Sequence, residues 1–422
     1  MAAARPRYRT RVVDAQVTAA LRRAGALVIE GPKACGKTWT ALHHTASNAR
    51  LDTSTQLRRA GLADPFVLLA GPTPRLIDEW QLVPDVWNAV RAEVDNRQAD
   101  GQFILTGSSR PHEDQTRHSG AMRLTHLTMR PMTSLETGDS DGSVSLAATW
   151  RSEPVRAATP DVSPTAQTKA IAQAVCRGGW PPNLKRTTED AMAANADYLR
   201  AIAGTDVQML DGVKHDPRKM EALLFALARG SASYVTAKTL QADIVRFGQT
   251  AQPKTLQNYL DALARLWIYM EQPAWGGHLR SAAPARKAPK RHLVDPSLAA
   301  AALGADPDSL MTDREAFGQL FESLVFRDLT VYGQPEGLDV RAFQDAVGNE
   351  MDAVLVHGTQ WAGIEVRLSP IPDVLDQAAA QLLRIAGRFT VDPRFLAIIT
   401  GGGASYTRPD GVHVISALSL AP

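Results

Sequence analysis

The octapeptide Gly31-Pro-Lys-Ala-Cys-Gly-Lys-Thr38 constrains this chain more than any other stretch. It satisfies G-x-x-x-x-G-K-[ST] between an apolar run, Ala26 to Glu30, and a helical pattern. A strand, a glycine-rich turn and a helix in that order bring backbone N–H groups and the positive end of a helix dipole together on an anion. Gly31, Pro32, Lys33, Ala34, Cys35, Gly36, Lys37 and Thr38 are therefore read as a phosphate cradle for ATP. Lys37 is expected to reach the β- and γ-phosphates, and Thr38 to ligate Mg²⁺. Such a loop belongs to an α/β domain with a largely parallel sheet, and the first 135 residues alternate short apolar runs with helical patterns accordingly. The candidate strands are Ala26 to Glu30, Phe66 to Ala70, Leu76 to Asp78 and Phe103 to Thr106.

A second element agrees with the first. In Arg75 to Gln81, RLIDEWQ, an apolar strand ends in adjacent carboxylates. Asp78 at the strand end is placed to hold the Mg²⁺, and Glu79 to orient an attacking water or take its proton. A third strand runs into Gly107-Ser-Ser109, and Thr106, with Ser108 after it, is the polar residue expected to orient that water or sense the γ-phosphate. Arg110 and Arg123 follow, and Arg123 is the candidate arginine finger, in its own subunit or a neighbour's. Trp39 and Trp80 flank the two motifs as candidate base-stacking platforms. Cys35, close to a helix N-terminus, is a candidate oxidation point.

With 422 residues, 44% hydrophobic and 21% charged, the chain is long enough for about three domains and is neither disordered nor fibrous. Its 46 basic against 44 acidic residues give +2, which argues neither for nor against a polyanionic partner. Its two cysteines, Cys35 and Cys176, form no zinc-site spacing. No apolar run reaches the ~18 residues of a membrane span, so the chain is expected to be cytoplasmic and free of membrane. From Gly138 to Pro164 the composition turns to Ser, Thr, Gly, Asp and Pro, as in a loop. Gly276 to His292 has five basic residues, Arg280, Arg286, Lys287, Lys290 and Arg291, and no acid, and reads as an extended, mobile connection. The divisions are an ATPase domain over 1–137, a helical lid or bridge over 165–215, a winged helix-turn-helix-like domain over 216–275 and an α/β domain over 293–422.

Taken together these residues resemble the prokaryotic ATP-binding proteins that join an AAA-type ATPase domain to a C-terminal domain of uncharacterised function. The signs are YRTRVVD from Tyr8, GPKACGKT, LIDEWQ before Val83-Pro84-Asp85, LTGSS, and Met129-Arg130-Pro131-Met132 before Leu135-Glu136. Later signs follow in order: Gly178-Gly-Trp-Pro181, Leu256 to Leu266, Glu322, Glu350-Met-Asp352 and Ile364-Glu-Val-Arg367. The resemblance implies an AAA-type P-loop domain, a winged-helix middle and a C-terminal fold akin to restriction endonucleases.

The C-terminal residues carry a pattern of their own. Glu322 on a helix, Asp352 on one strand and Glu365 on the next form an acidic constellation of the kind that holds Mg²⁺ for phosphodiester cleavage, with Glu350 as an extra ligand. The position where such nucleases carry lysine is Arg367, a donor that does not accept a proton. In the middle region Lys254, Gln257 and Asn258 are expected on the outer face of a helix that would meet a DNA groove. The basic connection and the arm Arg5, Arg7, Arg9 and Arg11 are candidate phosphate contacts. The reading is an Mg-dependent ATPase that couples hydrolysis to conformational change, with DNA and a second copy of the chain as candidate partners. The alternatives are an ATP-gated nuclease and a non-hydrolysing, ATP-dependent DNA-binding or regulatory module.

Overall fold

A computed structural model describes residues 8–109, 120–155, 162–210, 215–250, 252–276, 288–345 and 347–422. The chain forms two compact units. The first runs to Pro131 and takes in short later pieces beginning at Gln208 and Ala262, and the second comprises the rest. Among the described residues no helix is long and apolar enough to cross a membrane.

The first unit is built on five strands, β1 (Ala26–Glu30), β2 (Ser47–Arg50), β3 (Arg75–Asp78), β4 (Phe103–Gly107) and β5 (Leu124–Thr128), in the order β2-β3-β4-β1-β5. Every pairing is parallel. Ala26, Leu27, Val28 and Ile29 have no exposed surface, as a central strand covered on both faces requires. Its helices are α1 (Asp14–Leu21), α2 (Lys37–His43), α3 (Thr55–Ala63) and α4 (Val86–Arg97). One face of the sheet is filled by Val28, Ile77, Leu105, Trp80, Trp87 and Val90.

The sheet departs from the sequence reading in two places. Phe66 to Ala70 is not a strand: Pro65–Leu69 forms a 3₁₀ helix, begun by the Asp64 carboxylate accepting from Phe66 N at 3.0 Å. Leu68 and Leu69 are buried all the same, so the apolar run marked burial rather than extension. The strands at the two edges, β2 and β5, consist mostly of polar residues, SNAR and LTHLT, and gave no apolar run.

The second unit begins with α5 (Ser134–Thr137), β6 (Val144–Ser145) and α6 (Leu146–Trp150), so the stretch read as a loop contains short elements with Leu146 and Trp150 buried. Five helices follow: α7 (Pro164–Arg177), α8 (Thr188–Ala201), α9 (Pro217–Arg229), α10 (Ala237–Arg246) and α11 (Pro253–Arg265), the last of which belongs to the first unit from Ala262 on. An antiparallel ribbon of β7 (Tyr269–Gln272) and β8 (Lys290–Leu293) comes next. Within the expected mobile connection, Lys290 to His292 belong to a buried strand, while Arg280, Arg286 and Lys287 lie outside the described residues.

Helices α12 (Pro296–Leu303), α13 (Pro307–Thr312) and α14 (Arg314–Gly333) lead into β9 (Asp339–Gln344), β10 (Glu350–His357) and β11 (Gln360–Arg367). Then come α15 (Pro372–Ala386), β12 (Leu396–Thr400), β13 (Tyr406–Thr407), β14 (His413–Ser416) and β15 (Leu420–Ala421), the last paired with β6. Six strands form a mixed sheet in the order β13-β14-β12-β11-β10-β9. Arg327 on α14 is buried between Asp295 and Asp328, each 2.8 Å away. Asp295 also accepts from Gly179 N, and Asp328 from Ser134 N, each at 3.1 Å, so one guanidinium joins four segments.

Candidate functional site

The phosphate loop is shaped by β1 and β5 together. Glu30 O accepts from Met129 N at 2.7 Å, which brings β5 so close that a Cβ on Gly31 would lie 2.1 Å from Met129 O. Only glycine fits there. Ala34 and Gly36 then take positive φ of 62° and 107°, and α2 starts at Lys37. The Lys37 ammonium is buried and donates to Gly31 O at 2.9 Å and Pro32 O at 2.7 Å, arching back over the loop as a phosphate-binding lysine must. Lys33 and Ala34 are exposed at the rim.

Strand register gathers the remaining polar groups. Asp78 and Thr106 are partners across β3 and β4, and Thr106 in turn lies beside Ile29 of β1. The buried Asp78 carboxylate accepts from Thr106 Oγ1 at 2.5 Å and from Thr38 Oγ1 at 2.9 Å. Thr38 and Asp78 thus share one point at the carboxyl end of the sheet, where ligands of open α/β sheets bind. Glu79 follows in left-handed conformation, φ 56°, and its carboxylate accepts from Ser108 Oγ at 2.9 Å and from the Gln81 amide. The hydroxyl of Thr38 and the carboxylate of Asp78 are hard oxygen donors of the kind Mg²⁺ prefers.

Arg123, the candidate arginine finger, and Arg130 lie at opposite ends of β5. Arg123 precedes β5, and because Ala26 faces Leu124 in a parallel pair, Arg123 sits at the amino edge of the sheet, away from Gly31. There it pairs with Asp95 at 2.7 Å, so within its own chain it is not at the phosphate site. Arg130, which follows β5 at the other edge, has an Nε buried without a hydrogen-bond partner among the described residues. Burial lowers its pKa to about 10. Arg110 lies outside the described residues. Arg50, at the end of β2, approaches Asp78 Oδ2 at 3.5 Å.

The N-terminal segment closes on the same loop. Arg11, read as part of a phosphate-contacting arm, is buried and donates to Cys35 O at 2.8 Å and Arg130 O at 2.9 Å. It braces the loop instead of facing solvent. Tyr8 stacks on His43 of α2 at 4.2 Å, and its hydroxyl donates to Asp14 at 2.7 Å. Burial chiefly raises the Tyr8 pKa above the ordinary phenol value. Arg9 is exposed, and Arg5 and Arg7 lie outside the described residues. Cys35 is fully buried, its thiol 3.7 Å from Met129 O, which removes the access an oxidation point needs. Trp80 is core beside Trp87, whereas Trp39 is 45% exposed next to Thr38.

The C-terminal constellation also converges, around a residue the sequence reading assigned to the mobile connection. Asp352 and Glu365 flank the Ala353–Ile364 pair of β10 and β11, and Glu322 approaches from α14. Lys290 of β8 lies among them, its Nζ 2.5 Å from Glu350, 2.6 Å from Glu322 and 3.1 Å from Asp352. Arg367 pairs with Glu365 and, at 3.5 Å, with Asp352. Burial and then the Asp352 charge raise the Glu322 pKa to about 8 and lift Glu365 well above the carboxylate range. Burial opposes the charge on Lys290, but Asp352, Glu322 and Glu350 outweigh it and hold its pKa well above the usual lysine value. Among the described residues no group of three or more His, Cys, Asp or Glu side chains is arranged to hold a metal ion. The expected metal set of Glu322, Asp352 and Glu365 with Arg367 is thus assembled, but around cationic side chains.

The first unit is a P-loop α/β domain by its sheet order and its loop. Residues 23–137 match the AAA domain family, residues 168–309 a domain of unknown function (DUF8612) and residues 317–420 a domain of unknown function (DUF4143). The chain is 25% identical over 397 residues to the uncharacterized protein Rv2008c of Mycobacterium tuberculosis, covering 90% of this chain and 80% of that one. The uncharacterized protein Mb2031c of Mycobacterium bovis matches with the same identity and coverage. Among solved structures, the Walker-type ATPase PABY2304 of Pyrococcus abyssi is similar at a TM-score of 0.42 and 12% identity, covering 69% of this chain and 94% of that one.

Proposed function

We propose that the protein is an Mg-dependent ATPase in which Lys37 and the loop Gly31 to Thr38 bind the phosphates of ATP. Thr38 and Asp78 hold the metal, and Glu79 acts on the attacking water. The observation that carries this is the shared hydrogen-bonding of Thr38, Asp78 and Thr106 beside the buried Lys37 ammonium. Mg²⁺ bound there supplies neutralisation of the phosphate oxygens. Glu79, held by Ser108 and Gln81, is one residue beyond the metal carboxylate, where a base for water belongs. Arg130, which follows Met129, the residue whose carbonyl borders Gly31, is the cation of the same chain that steadies charge on the γ-phosphate.

Coupling of hydrolysis to rearrangement is the purpose we assign to the second unit, with duplex DNA as the partner. Lys254, Gln257 and Asn258 are exposed on α11 while Leu256, Leu260, Leu263 and Leu266 are buried, which is the disposition a groove-facing helix needs. A homo-oligomer would bring Arg123 of one copy to the site of another. Titration of a fluorescent ATP analogue with Mg²⁺ tests the site. The parent and Glu79→Gln should bind it, and Lys37→Ala should bind it at least tenfold more weakly. Equal binding by Lys37→Ala would remove the loop from the proposal.

A further inference from the structure

We propose that the C-terminal acidic pocket is a lysine-filled site: the ammonium of Lys290 is the resident cation of Glu322, Glu350 and Asp352, in place of a divalent metal. The pocket therefore works as a socket that fixes the β7–β8 ribbon to the C-terminal sheet, and not as a centre for metal-dependent phosphodiester cleavage.

The geometry of the ammonium carries this. A lysine has three N–H donors. Here the carboxyl groups of Glu350, Glu322 and Asp352 lie 2.5, 2.6 and 3.1 Å from Nζ, and those of Glu322 and Asp352 accept its hydrogen bonds. The side chain is 1% exposed, and Nζ lies 5.4 Å from the centroid of the Tyr234 ring. A hard divalent ion would need those same oxygens at roughly 2.0–2.6 Å. Those oxygens are instead gathered around Nζ. Arg367 adds a second permanent positive charge, against Glu365, the remaining acid of the set, and, at 3.5 Å, against Asp352.

The lysine is not a loose arm that swings away. Its strand is paired with β7 in continuous register from Tyr269–Leu293 to Gln272–Lys290. The next residue, Arg291, donates to Val235 O at 2.8 Å and pairs with Glu271 at 3.4 Å. His292 bonds Ser323 at 3.0 Å and Gln272 at 3.1 Å and stacks on Phe326. The acids are also adapted to the ribbon. The β9–β10 register shifts between Met351 and Val354, and Gln272 Nε2 donates to both Arg341 O and Asp352 O at 2.9 Å across that irregularity. The same ribbon thus supplies the cation for the carboxylates and a donor for the backbone that carries one of them.

Manganese binding to the full chain without nucleotide, read by electron paramagnetic resonance of the free ion, tests this. The parent and Asp352→Asn should bind equal numbers of Mn²⁺. Lys290→Ala, which bares the carboxylates, should gain one Mn²⁺ per chain, and Lys290→Ala/Glu322→Gln should lose that gain. A parent that loses one bound Mn²⁺ on Asp352→Asn overturns the proposal, as does a folded Lys290→Ala that gains none. If Lys290→Ala does not fold, the comparison of the parent with Asp352→Asn decides by itself.

Discussion

Gly31→Ala is the sharpest test of how the phosphate loop is built. A Cβ at this position would lie 2.1 Å from Met129 O and 3.1 Å from its carbonyl carbon, about 0.9 Å inside a closest tolerable approach of 3.0 Å. Met129 cannot yield alone, because its N–H is bonded to Glu30 O at 2.7 Å and ties β5 to the residue before the glycine. The loop must therefore shift by about 1 Å, and overpacking of this kind costs about 1–3 kcal/mol. Lys37 moves with it, since its ammonium is bonded to the Gly31 and Pro32 carbonyls. Misplacement of a reacting group by ~1 Å costs on the order of 100-fold in rate. The assay is phosphate release at saturating Mg-ATP with thermal melting of the same samples. Gly304→Ala serves as the reference, because that glycine has a positive φ of 67° but nothing within 4 Å of the added carbon. If Gly31→Ala melts with the reference and turns over within threefold of the parent, the close approach of β5 to the loop is not what shapes the site.

Thr106→Val keeps the volume but removes the donor to Asp78, a charge-assisted bond worth about 1.5–3 kcal/mol; the Mg²⁺ dependence of turnover should change by roughly tenfold or more, and Thr106→Ser should restore it. Arg327→Met leaves the buried carboxylates of Asp295 and Asp328 without their cation and should destabilise the second unit by about 3–5 kcal/mol in urea unfolding, with an effect under ~1 kcal/mol contradicting the burial argument. Glu322 keeps its proton up to about pH 8 when folded, against about 4.5 when free, so the folded state holds the extra proton in that window. Its contribution is present below the lower value and is lost as pH rises through the upper one. Glu322→Gln should flatten that decline, and an unchanged pH slope would show that the group titrates normally.

The geometry of the candidate phosphate site was legible because its motifs act at short range. GPKACGKT and LIDE each fix a strand end and the turn after it, and the two strand ends then meet across β4. Thr106 was legible for the same reason, since a polar residue ending an apolar strand has few places to go. The arginines were not legible, because which edge of the sheet a residue occupies depends on strand direction. Arg123 and Arg130 are separated only by the length of β5 yet lie at opposite edges. Edge strand β2, Ser47–Arg50, was invisible because Ala49 is its only buried residue. Lys290 failed for a related reason. A run of basic residues reads as solvated, and only the pairing of β8 with β7 carries this one among the carboxylates.

The most direct test of the central claim is phosphate release from Mg-ATP by the parent, Lys37→Ala and Glu79→Gln, each with and without duplex DNA. The account predicts turnover by the parent, a loss of about 10²–10⁴-fold in Glu79→Gln with nucleotide binding retained, and loss of both in Lys37→Ala. A parent that binds ATP but releases no phosphate under either condition, or a Glu79→Gln protein that turns over at the parent's rate, would contradict it.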